Sequence, residues 1–155
     1  MPNWIEGTLK LRGQSENLKR FFTEFVEAST FCDKEIPDSY VETNFDEKKY
    51  WCQVDIHNEP HIKGTHRAFL GEDDCAYWEN TYNTIVLYVK LAWDFVAEEF
   101  ATISKECGID IRLYGFECGL EFCREIEIIN GEITINNTIK YADWNWECPM
   151  PNLGG

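Results

Sequence analysis

The order in which strand-like and helix-like apolar periods follow one another constrains the fold of this chain most. Ile5, Leu9 and Leu11 alternate with polar residues, a period of two that predicts a half-buried strand. A helical period follows, and it predicts an amphipathic helix that begins with Ser15 as N-cap and runs to about residue 28. The apolar residues of that helix are Leu18, Phe21, Phe22, Phe25 and Val26.

The same succession of periods returns in the second half of the chain. Residues 84–91 are rich in β-branched residues and almost wholly apolar, which predicts a central strand. Asp94 is the expected N-cap of a second helix, and Gly108 is the expected stop of that helix. A further strand is expected over residues 109–115.

A β-hairpin is indicated near the end of the chain, because Asn130-Gly131 separates two alternating runs. Its expected arms are residues 122–129 and 132–139. The other segments are less regular. Residues 62–70 resemble one more strand. Residues 29–61 form an uncertain insertion, within which residues 50–56 resemble a short strand, and residues 141–155 are expected to be an irregular tail.

Without that insertion, the order is strand, helix, strand, strand, helix, strand and hairpin. This order predicts an α+β fold of the ferredoxin-like type. In such a split βαβ sandwich, two helices cover one face of an antiparallel sheet, here with an added C-terminal hairpin. The length of 155 residues favours a single domain over residues 1–155.

The net charge of −14 limits the classes of partner. A field of this sign repels nucleic acid and anionic membranes and attracts basic surfaces. We therefore expect no direct nucleic-acid or membrane binding. The N-terminus has no signal-peptide pattern and no apolar run reaches the ~20 residues that a membrane span needs, so a cytoplasmic location is expected.

Neither a catalytic site nor a metal site is indicated. Cys52, His57 and His61 do not have the spacing of a zinc finger. Cys118 is the nearest candidate nucleophile, but its neighbour Glu117 disfavours the thiolate. The sequence therefore predicts a protein that is not an enzyme and that uses no cofactor or metal.

A family resemblance rests on short pieces at both ends of the chain. They are Met1-Pro2-Asn3-Trp4 before the first strand, and Phe116-Glu117, Gly119, Phe122 and Asn130-Gly131-Glu132 in the closing strands. In these pieces the chain resembles the YubB-type ferredoxin-like domains of phage- and plasmid-borne proteins. The resemblance implies a ferredoxin-like fold and a mobile-element setting, hence the cytoplasm of a host cell, and it brings no catalytic residues.

Charge, size and this resemblance lead to one functional hypothesis. The chain is expected to be a phage-encoded inhibitor that occupies the basic nucleic-acid-binding surface of a host defence protein, with a CRISPR effector nuclease as first candidate. Carboxylates on one strand face then stand in for phosphates. The residues expected to bind the partner are Glu121, Glu125, Glu127 and Glu132, followed by Glu72, Asp73 and Asp74.

Two alternatives stay open. The chain is rich in aromatic residues, and rings beside basic groups suit a sponge that sequesters a nucleotide immune signal. The residues expected to bind that ligand are Lys63, His66, Arg67, Trp78, Trp144 and Trp146. In the second alternative, the chain is an accessory protein without a defence role, and its charge only confers solubility.

Overall fold

The computed structural model describes residues 3–29, 41–46, 49–54, 59–71, 75–79 and 83–155. These residues form an α+β fold with one eight-stranded sheet, one three-stranded sheet and three short helices. The strands are β1 Trp4–Arg12, β2 Val26–Ser29, β3 Val41–Phe45, β4 Lys49–Val54, β5 Glu59–Ile62, β6 Ala68–Leu70, β7 Cys75–Glu79, β8 Thr84–Ala92, β9 Asp110–Glu117, β10 Phe122–Ile129 and β11 Glu132–Ile139. The helices are α1 Ser15–Glu24, α2 Ala97–Cys107 and α3 Trp144–Glu147.

The large sheet has the strand order β11-β10-β9-β1-β8-β6-β5-β2, and all of its neighbouring strands are antiparallel. The predicted α+β class and antiparallel sheet are therefore confirmed. The sheet is larger than that of a ferredoxin-like fold. Strands β3, β4 and β7 form a second sheet, which the sequence did not predict.

The main core lies between one face of the large sheet and helices α1 and α2. The alternation in β1 buries its apolar side chains, as predicted, and both helices contribute to the same apolar cluster. Fully burying a Phe or Leu side chain stabilises the fold by about 1.5–3 kcal/mol. The helical residues that do so are Leu18, Phe21, Phe22, Phe100 and Ile103.

Both predicted helix starts were wrong. Helix α1 begins at Ser15, so its N-cap is Gln14. Asp94 does not cap α2, which begins at Ala97. Its Oδ1 instead accepts hydrogen bonds from the Phe95 N–H, at 2.6 Å, and from Arg124.

Helix α1 also ends earlier than expected, at Glu24. Val26 pairs with Ile62 in the sheet, so long-range pairing overrides the local helical period. The expected strand over residues 62–70 is two strands, β5 and β6. They are separated by a turn in which Gly64 has a φ of +81°.

The tail over residues 141–155 is less irregular than expected. It contains helix α3, whose first turn is capped by Asp143, and it packs on the sheet face opposite α1 and α2. There Trp144 and Cys148 are buried with Phe116 and Cys123. The tail covers the part of this face around Phe116 and Cys123. The neighbouring part, which we name the open face, carries Lys10, Arg12, Arg112, Glu125, Glu127 and Glu132.

Candidate functional site

The hairpin of β10 and β11 brings three of the predicted partner-binding carboxylates to the open face. Glu125 and Glu127 alternate with isoleucines that are fully buried on the helix side. Glu132 pairs with Ile129, and residues paired across antiparallel strands point to the same side. Glu132 therefore continues the row that the two strand glutamates begin.

The hairpin turn is held in place by two other elements. Asn130 and Gly131 have φ values of 51° and 79°, as the tight turn predicted from this dipeptide requires. The Gly131 N–H donates to Oγ of Ser104 on α2 at 3.0 Å. The Asn130 N–H donates to Oδ1 of Asp110 on β9 at 3.2 Å. These bonds fix the position of the carboxylate row relative to the core.

Arg112 of β9 lies between two of these carboxylates. Its Nη2 is 2.7 Å from Oε1 of Glu125, and its Nη1 is 3.1 Å from Oε2 of Glu127. Thr134 also donates to Oε1 of Glu127, at 2.8 Å. One cation thus neutralises part of the row and holds two carboxylates in fixed positions. Glu132 has no ion pair among the described residues.

Glu121 is not part of this row. It lies in the turn before β10, is exposed, and has a φ of +55°. The neighbouring Glu117 shapes that turn, since its fully buried carboxylate accepts the N–H groups of Gly119 at 3.0 Å and Leu120 at 2.6 Å. The prediction that Glu121 shares a strand face with Glu125 was therefore wrong.

Arg124 is a structurally important residue of the hairpin to which the sequence assigned no role. It points to the helix side and is 7% exposed. Its guanidinium donates to Asp94 at 2.8 Å, to Thr138 at 2.9 Å and to Asn136 at 2.8 Å. Arg124 thereby connects β10, β11 and the segment before α2. In the sequence, the one indication that its side chain points inward is its position in the alternating run, two residues before the buried Ile126.

The open face is not uniformly acidic. A shallow groove of about 120 Å³ lies along β1 and β9. Arg12 in this groove pairs with Asp110 at 2.8 Å, whereas Lys10 has no ion pair with any part of the chain that the structure describes. The charged residues that line the groove are Lys10, Arg12, Asp110, Arg112 and Glu127. The second predicted cluster, Glu72, Asp73 and Asp74, lies outside the described residues.

The residues predicted for a nucleotide ligand are not brought together. Trp144 is buried in the tail, where its Nε1–H donates to the Pro151 carbonyl at 2.8 Å, and Trp146 is 87% exposed. Trp78 lies on β7 of the small sheet. Lys63 lines a groove between α1 and α2 whose other charged residues are Glu24, Glu98, Glu99 and Glu106.

His66 and Arg67 do share a cavity, and it contains a different tryptophan. The cavity has a volume of about 320 Å³ and is also lined by Trp93 and Val96. Trp93 has a φ of +72°, and the Asp94 N–H donates to the Ala92 carbonyl at 3.0 Å across it. This is the geometry of a strained γ-turn, and it presents an indole that is 58% exposed.

Several of the described cysteines and histidines have structural contacts. Within the described ranges, no group of three or more His, Cys, Asp and Glu side chains could hold a metal ion. Nδ1 of His61 lies 2.8 Å from Oε1 of Glu27, and the Cys118 thiol donates to the Gly154 carbonyl at 2.7 Å. Cys123 and Cys148 have their sulfur atoms 4.0 Å apart. Burial raises the pKa of the Cys123 thiol to about 12, and the nearby Cys148 adds to this effect.

Comparison with protein families, characterised proteins and solved structures finds no significant match. The resemblance to YubB-type domains therefore stays a prediction. Among the described helices, none has the length and apolar character that crossing a membrane requires.

Proposed function

We propose that this chain is a non-catalytic binding protein, encoded by a phage, that acts in the cytoplasm of the host cell. It inhibits a host defence protein by occupying a basic nucleic-acid-binding surface, and an RNA-guided CRISPR effector nuclease is the first candidate. The observation that carries this proposal is the row of Glu125, Glu127 and Glu132 on the open face of a chain with a net charge of −14.

The spacing of the row is regular. Glu125 and Glu127 are two residues apart, which is about 6.6 Å at the rise of an antiparallel strand. Glu132 lies opposite Ile129 on the neighbouring strand, so its separation from Glu127 is the cross-strand diagonal, about 7–8 Å. Such a series of negative groups offers a basic groove a succession of partners, as a nucleic-acid backbone does. Long-range attraction also speeds encounter with a basic surface.

Arg112 is compatible with this role. A single guanidinium contacts two carboxylates, so the two glutamates and the arginine together keep one negative charge. The Arg112 side chain is 47% exposed, so it sits at the surface where a cation of the partner can approach the same carboxylates. Fixed carboxylates lose less conformational entropy on binding than free ones. This smaller loss of entropy thus offsets part of the attraction that is lost when Arg112 neutralises one of the two carboxylates.

We also infer a ferredoxin-like core of the YubB type within the larger sheet. Helix α2 joins β8 to β9, which lie on either side of β1, as a split βαβ unit requires. In this assignment β10 and β11 extend one edge of the core, and β5 and β2 extend the other. The strand order by itself does not indicate a mobile-element origin, which is inferred from the sequence resemblance to YubB-type domains.

The proposal is tested by competition for DNA. Purified RNA-guided effector nucleases are bound to fluorescently labelled target DNA, and the anisotropy is followed as the full chain is added. We expect displacement of the DNA from at least one nuclease, and weaker displacement as the salt concentration rises. A nuclease that binds the chain and DNA at the same time contradicts the decoy mechanism. Absence of any effect across a panel of effectors contradicts the choice of partner.

A second function is favoured by the cavity that joins His66 and Arg67 to Trp93. Its volume of about 320 Å³ lies within the range of small-molecule sites. An exposed indole offers a stacking surface for a base, and an arginine offers a partner for a phosphate. The chain would then sequester a nucleotide signal.

Thermal unfolding with a panel of cyclic nucleotides separates this second function from the first. A sponge is stabilised by its ligand, and Trp93→Ala abolishes that shift whereas Trp146→Ala keeps it. A decoy shows no shift with any nucleotide. If neither ligand binding nor DNA competition is observed, the chain is an accessory protein without a defence role.

A further inference from the structure

Strand β11 forms one edge of the large sheet. It pairs with β10 on one side, and no described strand pairs with its other side. Its main-chain groups form no hydrogen bonds with described backbone outside the sheet ladder. Most of its side chains are exposed. With respect to the part of the chain that the structure describes, this edge is therefore open to pairing with another strand.

The composition of β11 is unusual for an exposed edge. Residues 133–139 contain no charged residue, although 27% of the chain is charged. They contain no proline or glycine either, and five of them are Ile or Thr, which favour strands. Edge strands are commonly protected by charges, prolines or bulges. Here the one visible protection is an irregularity at Thr134, which leaves residues 135–139 as a regular edge.

We propose that this edge pairs with the same edge of a second copy of the chain, so that β11 lies antiparallel to the partner's β11. A twofold axis relates the two strands, so a residue whose N–H and C=O groups point toward the partner must pair with a residue that points its groups the same way. In a regular strand these groups alternate from one residue to the next. Two paired residues are therefore separated by an even number of positions in the sequence. The register that uses only the regular residues is centred on Asn137.

This register matches side chains on both faces of the sheet. Ile135 meets Ile139 of the other copy, and both lie on the side of the open face because they pair with Glu127 and Cys123. On the helix side, Asn136 meets Thr138. Asn137 meets its own copy at the axis. Apolar residues meet apolar residues and polar residues meet polar residues, as a self-complementary interface requires.

The dimer has a consequence for the open face. The two large sheets become continuous, with both open faces on the same side. Three strand spacings separate one β10 from the other, which is about 14 Å. Two rows of carboxylates then run antiparallel on one surface. The dimer does not depend on the proposed inhibitory function, because the edge of β11 alone carries it.

Charge opposes this association. Two chains of net charge −14 repel each other, and added salt screens that repulsion. The dimer is therefore expected to tighten as salt rises, the reverse of the expectation for a basic partner. Because salt is expected to strengthen the dimer and to weaken binding to a basic partner, an experiment that refutes the dimer can be told apart from one that refutes the proposed inhibitory function.

Sedimentation equilibrium of the full chain tests the dimer. Wild type is expected to sediment as a dimer at moderate salt, and Asn137→Lys as the 18.2 kDa monomer, because the variant places two like charges directly opposite each other. Asn145→Lys is the matched control, since it makes the same charge change at an exposed site in α3. Circular dichroism checks that each variant is folded. A monomeric wild type, or a dimeric Asn137→Lys, overturns the proposal.

Cross-linking tests the register independently. The Cα atoms of paired residues are about 4.5–5.5 Å apart, which a disulfide can span. Oxidised glutathione should convert Asn137→Cys into a covalent dimer. In this reaction two thiols form one disulfide, and glutathione disulfide is reduced to two molecules of glutathione. Wild type and Asn145→Cys should give no covalent dimer. Equal cross-linking in all three, or none in Asn137→Cys, overturns the register.

Discussion

Arg112 and Glu125 form an ion pair across neighbouring strands, with 2.7 Å between Nη2 and Oε1. The same guanidinium reaches Glu127, so the charge of the open face is set by one arginine as much as by the glutamates. The first prediction follows from this balance.

Arg112→Gln is expected to strengthen binding to a basic partner, because it leaves two carboxylates without their cation. The Arg112 side chain is 47% exposed, so the stability lost should be about 1 kcal/mol or less. Association with an effector nuclease, followed by stopped flow at low salt, should become faster. Arg20→Gln removes an exposed pair with Glu24 on α1 and should leave the rate almost unchanged. Equal acceleration by both variants would show that net charge alone matters.

Gly7→Ala is expected to destabilise the fold by about 3 kcal/mol or more, because of severe overpacking. A Cβ atom at this position would lie 2.0 Å from the Tyr114 carbonyl oxygen, so β1 and β9 would have to separate. Gly64→Ala is the control. Its Cβ meets nothing within 4 Å, and only its φ of +81° costs free energy, about 1–2 kcal/mol. Urea unfolding measures both. Similar losses in the two variants contradict the close approach of these strands.

Arg124→Met should lower the free energy of unfolding by about 2 kcal/mol, since it removes hydrogen bonds from a charged donor. Arg124→Lys should not restore this stability, because a single ammonium cannot reach Asp94, Asn136 and Thr138 together. Chemical denaturation gives the comparison. Full stability of the lysine variant would mean that charge, and not the forked geometry, matters at this site.

Stability should fall as pH rises from about 9 to about 12. The Cys123 thiol has an ordinary pKa of 9.0, and burial raises its pKa to about 12 in the folded chain. Between these values the folded state holds a proton that the unfolded state has lost, so a higher pH favours unfolding. Cys123→Ala removes this contribution and should make the decline shallower. If the free energy of unfolding depends on pH identically in the variant and in wild type, the Cys123 thiol does not make this contribution.

The alternating segments could be predicted from the sequence, because their patterns are local. Both arms of the hairpin have the expected bounds, since Asn130-Gly131 dictates the turn. The end of α1 could not be predicted, because Val26 is withdrawn from the helical period by pairing with a distant strand. The small sheet could not be predicted for the same reason, because its strand β4 pairs with β7, which is distant in the sequence.

The site was only partly predictable for a similar reason. Alternation placed Glu125 and Glu127 on one face, but their pairing with Arg112 depends on the register between β9 and β10. The turn stabilised by Glu117 lies between those strands, and its geometry is not a sequence motif. The cavity at Trp93 depends on a γ-turn that no local pattern signals.

The central claim is that carboxylates of the hairpin compete with nucleic acid, and one pair of variants tests it most directly. Glu127→Lys with Glu132→Lys reverses two charges of the carboxylate row on the open face. Glu98→Lys with Glu106→Lys makes the same change on α2, on the other side of the sheet. The concentration of each that displaces half of the DNA from an effector nuclease is compared. We predict about a tenfold weakening, equivalent to about 1.4 kcal/mol, for the hairpin variant only. Equal weakening in both variants, or none in either, would contradict the account.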